Sequence, residues 1–143
     1  MDVRPLVPDD AVALMPLVSA LSAHHRRTPE ATAATLHRDL EDGWFWGFGA
    51  GEPLAGYVLV GHDARVRDGL RGVALHHVFV ARGFRRQGMA RALLHAAEND
   101  ARARGSSYVV IEATCGNAPA RDTYVALGYE WRAARSWMFR KAL

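Results

Sequence analysis

The residues with the most chemistry in this 143-residue chain lie between Val78 and Arg91. An apolar run, Val78-Phe79-Val80, breaks into a basic turn and reopens at Gly88 with helical spacing. The turn reads Arg85-Arg86-Gln87-Gly88-Met89-Ala90, followed by Arg91. The first N–H groups of a helix lack intrahelical partners and sit at the positive end of its dipole. Gly88 and Ala90 add little bulk, so a phosphate or pyrophosphate can approach those amides, with Arg85, Arg86 and Arg91 supplying peripheral charge. The expected ligand is anionic and elongated. An ordinary helix start with a solvated arginine face is the bland alternative, and this stretch alone does not separate the two.

Groups able to move protons stand on either side of the turn. His76 and His77 precede it, and an imidazole with an ordinary pKa of about 6.5 suits a general base. Neighbouring strand residues face opposite sides, so only one of the pair is expected to face an acceptor. Tyr124 follows the turn, spaced between Ala120 and Leu127 as an aromatic packed on a helix would be. Asn117 stands where a helix cap is wanted. His24, His25 and His37 lack the carboxylate or cysteine pattern that would complete a metal site, so no metal is expected. Cys115 has no base beside it and reads as a small buried residue.

The elements that must position these groups alternate along the chain. Val3 to Leu6 reads as a strand, and Pro8-Asp9-Asp10 opens a helix with Val12, Leu14, Leu17, Val18 and Leu21 at helical spacing. Thr28 reads as the cap of a second helix that stops near Gly43. Trp44 to Gly49 and Leu54 to Val60 read as a hairpin, and His62 to Gly69 as a polar loop. Val73 to Val80 reads as a central strand buried on both faces. A third helix carries Met89, Ala90, Leu93, Leu94, Ala97 and Ala101 on one face and stops at Gly105. Tyr108 to Ala113, joined to the central strand through that helix, implies a parallel crossover. A fourth helix spans 117–127, and Tyr129 to Lys141 reads as a last strand.

Composition bounds the partners. With 50% apolar and 23% charged residues, the chain reads as one α/β domain covering 1–143, with no membrane partner. Its start lacks the pattern of a signal peptide, and the single cysteine excludes an internal disulfide framework, so the cytoplasm is the expected location. A net charge of +3 is small for a nucleic-acid binder, and nucleic acid is not the expected partner.

Two motifs together resemble the GNAT superfamily of acetyl-CoA-dependent N-acetyltransferases. Arg85-Arg86-Gln87-Gly88-Met89-Ala90 is similar to the family's acetyl-CoA signature. Asn117, Ala120, Tyr124, Gly128 and Tyr129 are similar to its Asn-x-x-Ala-x-x-x-Tyr-x-x-x-Gly-(Phe/Tyr) signature. The resemblance implies a mixed α/β (α+β) sheet of about six or seven strands with about four helices, in the order β-α-α-β-β-β-α-β-α-β. It implies acetyl-CoA as cosubstrate, an amine acceptor as the other partner, direct transfer in a ternary complex, and a homodimer as a candidate assembly. By the same resemblance Val78, Phe79 and Val80 hold the pantetheine arm, with the Val78 N–H polarising the thioester carbonyl. Arg85, Arg86, Gln87, Gly88, Met89, Ala90 and Arg91 hold the pyrophosphate, and Asn117 contacts the pantetheine. An amine has a pKa of about 10.4 and a thiol about 8.5, so transfer needs a base and an acid. The resemblance gives the acid role to Tyr124 and the base role to His76, with His77 or solvent as alternatives. Several relatives carry a glutamate where this chain has Ala74. A protein N-terminal or lysine acetyltransferase, or a noncatalytic acyl-CoA-binding domain, are the alternative functions. By the same resemblance His24, His25, Arg26 and Arg27, the cluster Trp44-Phe45-Trp46, and Trp131 and Trp137 are candidates to shape the acceptor side, a set that would suit an amine also carrying a carboxylate or an aromatic ring and that could equally be core and surface.

Overall fold

Alternating apolar residues between Trp46 and Val80 bury a sheet from both sides, and helical apolar stripes cover it. The computed structural model describes residues 1–113, 116–134 and 136–143. The chain divides into units Met1–Glu112 and Ala113–Leu143, and each is described by itself.

The first unit contains β1 (Val3–Pro5), α1 (Ala11–His24), α2 (Ala33–Glu41), β2 (Trp46–Ala50), β3 (Gly56–Arg65), β4 (Leu70–Val80), α3 (Met89–Ala103) and β5 (Tyr108–Ile111). The strands form one five-stranded sheet in sequential order, antiparallel except for the parallel pair β4 and β5. Tyr57, Leu59 and Phe79 share one face with Leu14, Val18 and Leu36 of α1 and α2. Gly56 lies on the other face, where an added Cβ would meet Met89 Sδ at 2.7 Å and Leu93 at 3.3 Å, so α3 packs there. On α1 the buried positions are Ala11, Leu14 and Val18, and Val12 is exposed, unlike the expected stripe. The spacing i, i+3, i+7 from Ala11 leaves Val12 pointing to water.

Three features of the elements depart from expectation for identifiable reasons. Thr32, not Thr28, caps α2. Its hydroxyl accepts from the Thr35 N–H at 3.2 Å, and the Thr35 hydroxyl accepts from the Thr32 N–H at 2.9 Å. This reciprocal pair satisfies two orphan donors, and Thr28 has only Ala31 three positions on. The first half of the expected loop 62–69 is strand, because the ladder continues to Arg65 opposite Leu70. Tyr108 covers that extension: its hydroxyl donates to Asp63 at 2.6 Å, its ring lies against Gly72, and Arg65 stacks on it at 5.0 Å. The third departure is the strand count, five where six or seven were expected. Among the described residues, 129–143 form no ladder. The aromatic alternation of Tyr129, Trp131, Trp137 and Phe139 suits a strand, but period alone makes none without a paired neighbour.

The second unit holds α4 (Ala118–Ala126). Asn117 Oδ1 accepts from the Ala120 N–H at 3.3 Å, so the signature asparagine caps the helix. At the other end Gly128 adopts φ +94°, the Gly128 N–H donates to the Val125 carbonyl and the Tyr129 N–H to the Tyr124 carbonyl, both at 3.0 Å. The Tyr-x-x-x-Gly-Tyr half of the signature is therefore a Schellman ending, with the Tyr124 and Tyr129 rings in edge contact at 6.2 Å across it. Cys115 lies outside the described residues.

Candidate active site

The anion-binding turn is built from backbone. After Val80 a 3-10 turn at Arg82–Phe84 leads to Arg86, held at φ +62°, and Gly88 at φ +84°, immediately before α3. Left-handed residues at such a junction make successive N–H groups converge into a concavity suited to an anion. The N–H groups of Gly88, Met89, Ala90 and Arg91 open α3, and its first internal bond runs from Ala92 to the Gly88 carbonyl at 3.0 Å. The side chains of Arg85 and Gln87 fasten the turn. Arg85 Nε donates to the Val80 carbonyl at 2.9 Å, and Gln87 Nε2 to the Gly83 carbonyl at 3.2 Å. Arg86 and Arg91 are exposed, without an ion pair among the described residues.

β4 carries a second feature of the same end. Its parallel pairing with β5 runs only from Gly72 to Leu75, whereas its pairing with β3 continues to Val80. From His76 to Val80 the β4 edge on the side of β5 has no ladder partner among the described residues, a geometry that accepts an amide-containing chain as a pseudo-strand.

A β-bulge lies at the start of that free edge. Leu59 pairs with His77 and Val60 with Leu75, so His76 is the extra residue. The expectation that His76 and His77 face opposite sides is overturned by this bulge, which adds a residue and breaks the alternation. His77 Nδ1 is 3.2 Å from the Tyr57 hydroxyl. An added Cβ on Gly61, which shares the face of Tyr57 and Leu59, would run into the His76 ring. Both imidazoles thus lie on the α1 and α2 face, His76 exposed and His77 half-buried.

The two histidines differ chemically. Tyr57 is fully buried, and burial pushes its phenol well above the ordinary value, so it keeps its proton. His77 Nδ1 is the acceptor available to that proton among the described residues. The network therefore assigns the Tyr57 hydroxyl as donor and the imidazole proton to Nε2. Burial is the main cause that lowers the His77 pKa, with smaller contributions from His76 and His25. His77 is a neutral ring presenting an N–H donor. Nothing in the sequence marks Tyr57 for this part, because it reads as one more apolar strand residue, and a bulge leaves no trace in spacing.

The aromatic candidates separate. Trp46 is tied into structure, its indole donating to Asp100 at 2.7 Å with Arg104 stacked on it at 4.2 Å. Phe45 packs against the core cluster, and Trp44, Trp131 and Trp137 are exposed. In the second unit Tyr124 is half-buried, and burial raises its pKa, so its hydroxyl holds a proton to give. Among the described residues no group of three or more His, Cys, Asp or Glu could hold a metal, and no helix is long and apolar enough to cross a membrane.

These features accord with what the chain is similar to. The Acetyltransferase (GNAT) family matches residues 13–129, and the chain belongs to that family of acetyl-CoA-using acyltransferases. Streptothricin acetyltransferase of Streptomyces lavendulae is 29% identical over 102 residues, 71% of this chain and 52% of that protein. The chain thus spans about half the length of that curated relative. A solved ribosomal-protein-alanine N-acetyltransferase from Brucella melitensis biovar Abortus 2308 is 26% identical with a TM-score of 0.79, covering 99% of this chain and 100% of that one. A solved aminoglycoside acetyltransferase from an uncultured soil metagenomic sample shares the fold at 19% identity and a TM-score of 0.79, covering 98% of each chain.

Proposed function

We propose that this chain, acting as one domain over 1–143, transfers the acetyl group of acetyl-CoA to a primary amine by direct attack in a ternary complex. The turn from Arg85 to Ala90, with two left-handed residues ahead of α3 and the unpaired β4 edge beside it, carries this reading. The amides of that turn take the pyrophosphate, Arg86 and Arg91 add charge, and the pantetheine lies along Val78 to Val80. Asn117, whose side chain is engaged in capping, serves chiefly to start α4. The amine nitrogen attacks the thioester carbon, whose oxygen is stabilised by the Val78 N–H, and the C–S bond breaks. His76 takes the amine proton through solvent, since the Nε2 of His77 is already protonated. Tyr124 returns a proton to the thiolate. The acceptors in the relatives' names differ, streptothricin, an aminoglycoside and a ribosomal-protein alanine, so none of them is assigned to this chain.

The test is thermal unfolding with acetyl-CoA, followed by free-thiol release over a panel of amines. A ligand that binds only the folded state at about a hundred times its Kd stabilises by about 2.7 kcal/mol, a shift of several degrees. Saturating acetyl-CoA without any shift would refute the donor site. Binding without thiol release on any amine would favour a noncatalytic acyl-CoA-binding domain.

A further inference from the structure

All four α-helices among the described residues end in the same long backbone bond, in which an N–H reaches the carbonyl five positions back. It runs from Arg27 to Ser22, Trp44 to Asp39, Ser106 to Ala101 and Tyr129 to Tyr124, at 2.8 to 3.0 Å. Such an ending requires a left-handed residue just before the donor. Three helices use glycine there, Gly43 at φ +72°, Gly105 at +83° and Gly128 at +94°. The fourth uses Arg26, at φ +56°. A side chain in that region costs about 1 kcal/mol relative to glycine. A cation placed one turn earlier would meet the helix dipole equally well without that cost, so the dipole does not account for arginine at this position.

The end of α1 lies on the face of the sheet that carries the bulge histidines. Leu21 packs on the cluster that contains Tyr57 and Phe79, and His25, four residues on, continues the same helix face. His77, held by Tyr57, is influenced by the imidazoles of His76 and His25. His24, His25, Arg26 and Arg27 are exposed and form no ion pair among the described residues. Cationic and imidazole donors thus gather at the end of α1, on the face of the sheet that carries His76 and His77, without an ion pair among the described residues.

We propose that His24, His25, Arg26 and Arg27 form an oxyanion-binding subsite, and that the acceptor is a primary amine that also bears a carboxylate or phosphate, as an amino acid or an aminoalkyl phosphate does. Guanidinium and imidazole N–H groups bind such an oxyanion through charge-assisted hydrogen bonds, and this leaves the amine to reach His76. An acceptor whose remaining groups are cationic finds no counter-charge here. This assignment rests on the amine-acetylation reading above.

Thiol release with acetyl-CoA and matched amines tests it: phenylalanine against phenethylamine, phosphoethanolamine against ethanolamine, and spermidine as the polycation. A charge-assisted contact predicts a kcat/KM about tenfold higher for the oxyanion-bearing member of at least one pair, and which pair responds separates carboxylate from phosphate. Arg26→Gly, which keeps the backbone conformation, should collapse that ratio towards one, mostly through KM, and Arg26→Lys should restore part of it. Equal rates within both pairs, a preference for spermidine, or an unchanged ratio in Arg26→Gly would overturn the subsite. Binding is read separately by titrating histidine NMR signals with hydrocinnamate or inorganic phosphate. Saturable shifts that disappear in Arg26→Gly uphold the subsite even without turnover of any amine, in which case only the acetylation reading falls. No saturable shift with either anion overturns the subsite even in an active enzyme.

Discussion

The end of α1 and the end of α4 use one hydrogen-bonding scheme and fill its key position differently. At α4 the residue is Gly128, and the ring of Tyr124 closes against Tyr129 across the turn. At α1 it is Arg26, followed by Arg27 and preceded by His24 and His25, all exposed. The glycine answers a demand of backbone geometry, and the arginine meets the same demand at a cost. A conformational cost retained at one helix end and avoided at three others marks the place where a side chain is being used.

Tyr124 offers the largest test of that contrast, because it belongs both to the α4 ending and to the proposed chemistry. Tyr124→Phe keeps the ring that packs on Tyr129 and removes the proton donor. We expect kcat to fall about a hundredfold, with KM for acetyl-CoA and for the amine nearly unchanged, as removal of a general acid predicts. If steady-state kinetics show an unaltered kcat, Tyr124 serves only the helix ending, and the signature tyrosine is structural.

Exchanging the two solutions gives the next effect in size. Arg26→Gly should raise stability by up to about 1 kcal/mol, and Gly128→Arg should lower it by a similar amount, since each changes the same left-handed penalty in opposite directions. Urea unfolding of both variants measures this. A destabilised Arg26→Gly would mean that the Arg26 side chain makes contacts of its own in the fold, and the reading of arginine as costly but functional would fail.

The same contrast explains what the sequence makes legible. The donor side relies on backbone: the turn before α3 needs Gly88, and the α4 ending needs Gly128. Residues that satisfy a backbone demand recur at fixed spacing, and so appear as motifs. The sheet from β2 to β5 and the stripes of Leu14, Val18, Leu93 and Leu94 are legible for a related reason, since burial imposes a period. The bulge at His76 and the bond from Tyr57 to His77 have no such period. One inserted residue turns two histidines to one face, and the partner that sets the tautomer lies twenty positions away in sequence. The proposed acceptor side is written in exchangeable side chains, and the strained φ of Arg26 distinguishes them from an ordinary solvated helix end.

The smallest expected effect asks whether the end of α1 reaches the bulge at all. The pKa of His77 is lowered first by burial, then by His76 and by His25. In the unfolded chain the ring titrates near its ordinary value of about 6.5. Below that pH the unfolded state therefore binds more protons than the folded one, and stability must fall as pH falls from about 6.5 towards the folded pKa. Urea unfolding at pH 7.5 and pH 5 should show this acid loss, reduced in His77→Gln. In His25→Gln the titration of the His77 ring, followed by NMR, should move up a little towards its ordinary value, because one of the neighbours that lowers it has gone while the burial remains. An unmoved titration would mean that His25 does not act on His77. Arg26 would then be a strained residue on a surface unconnected with the base, and the two helix ends would differ in conformation without differing in use.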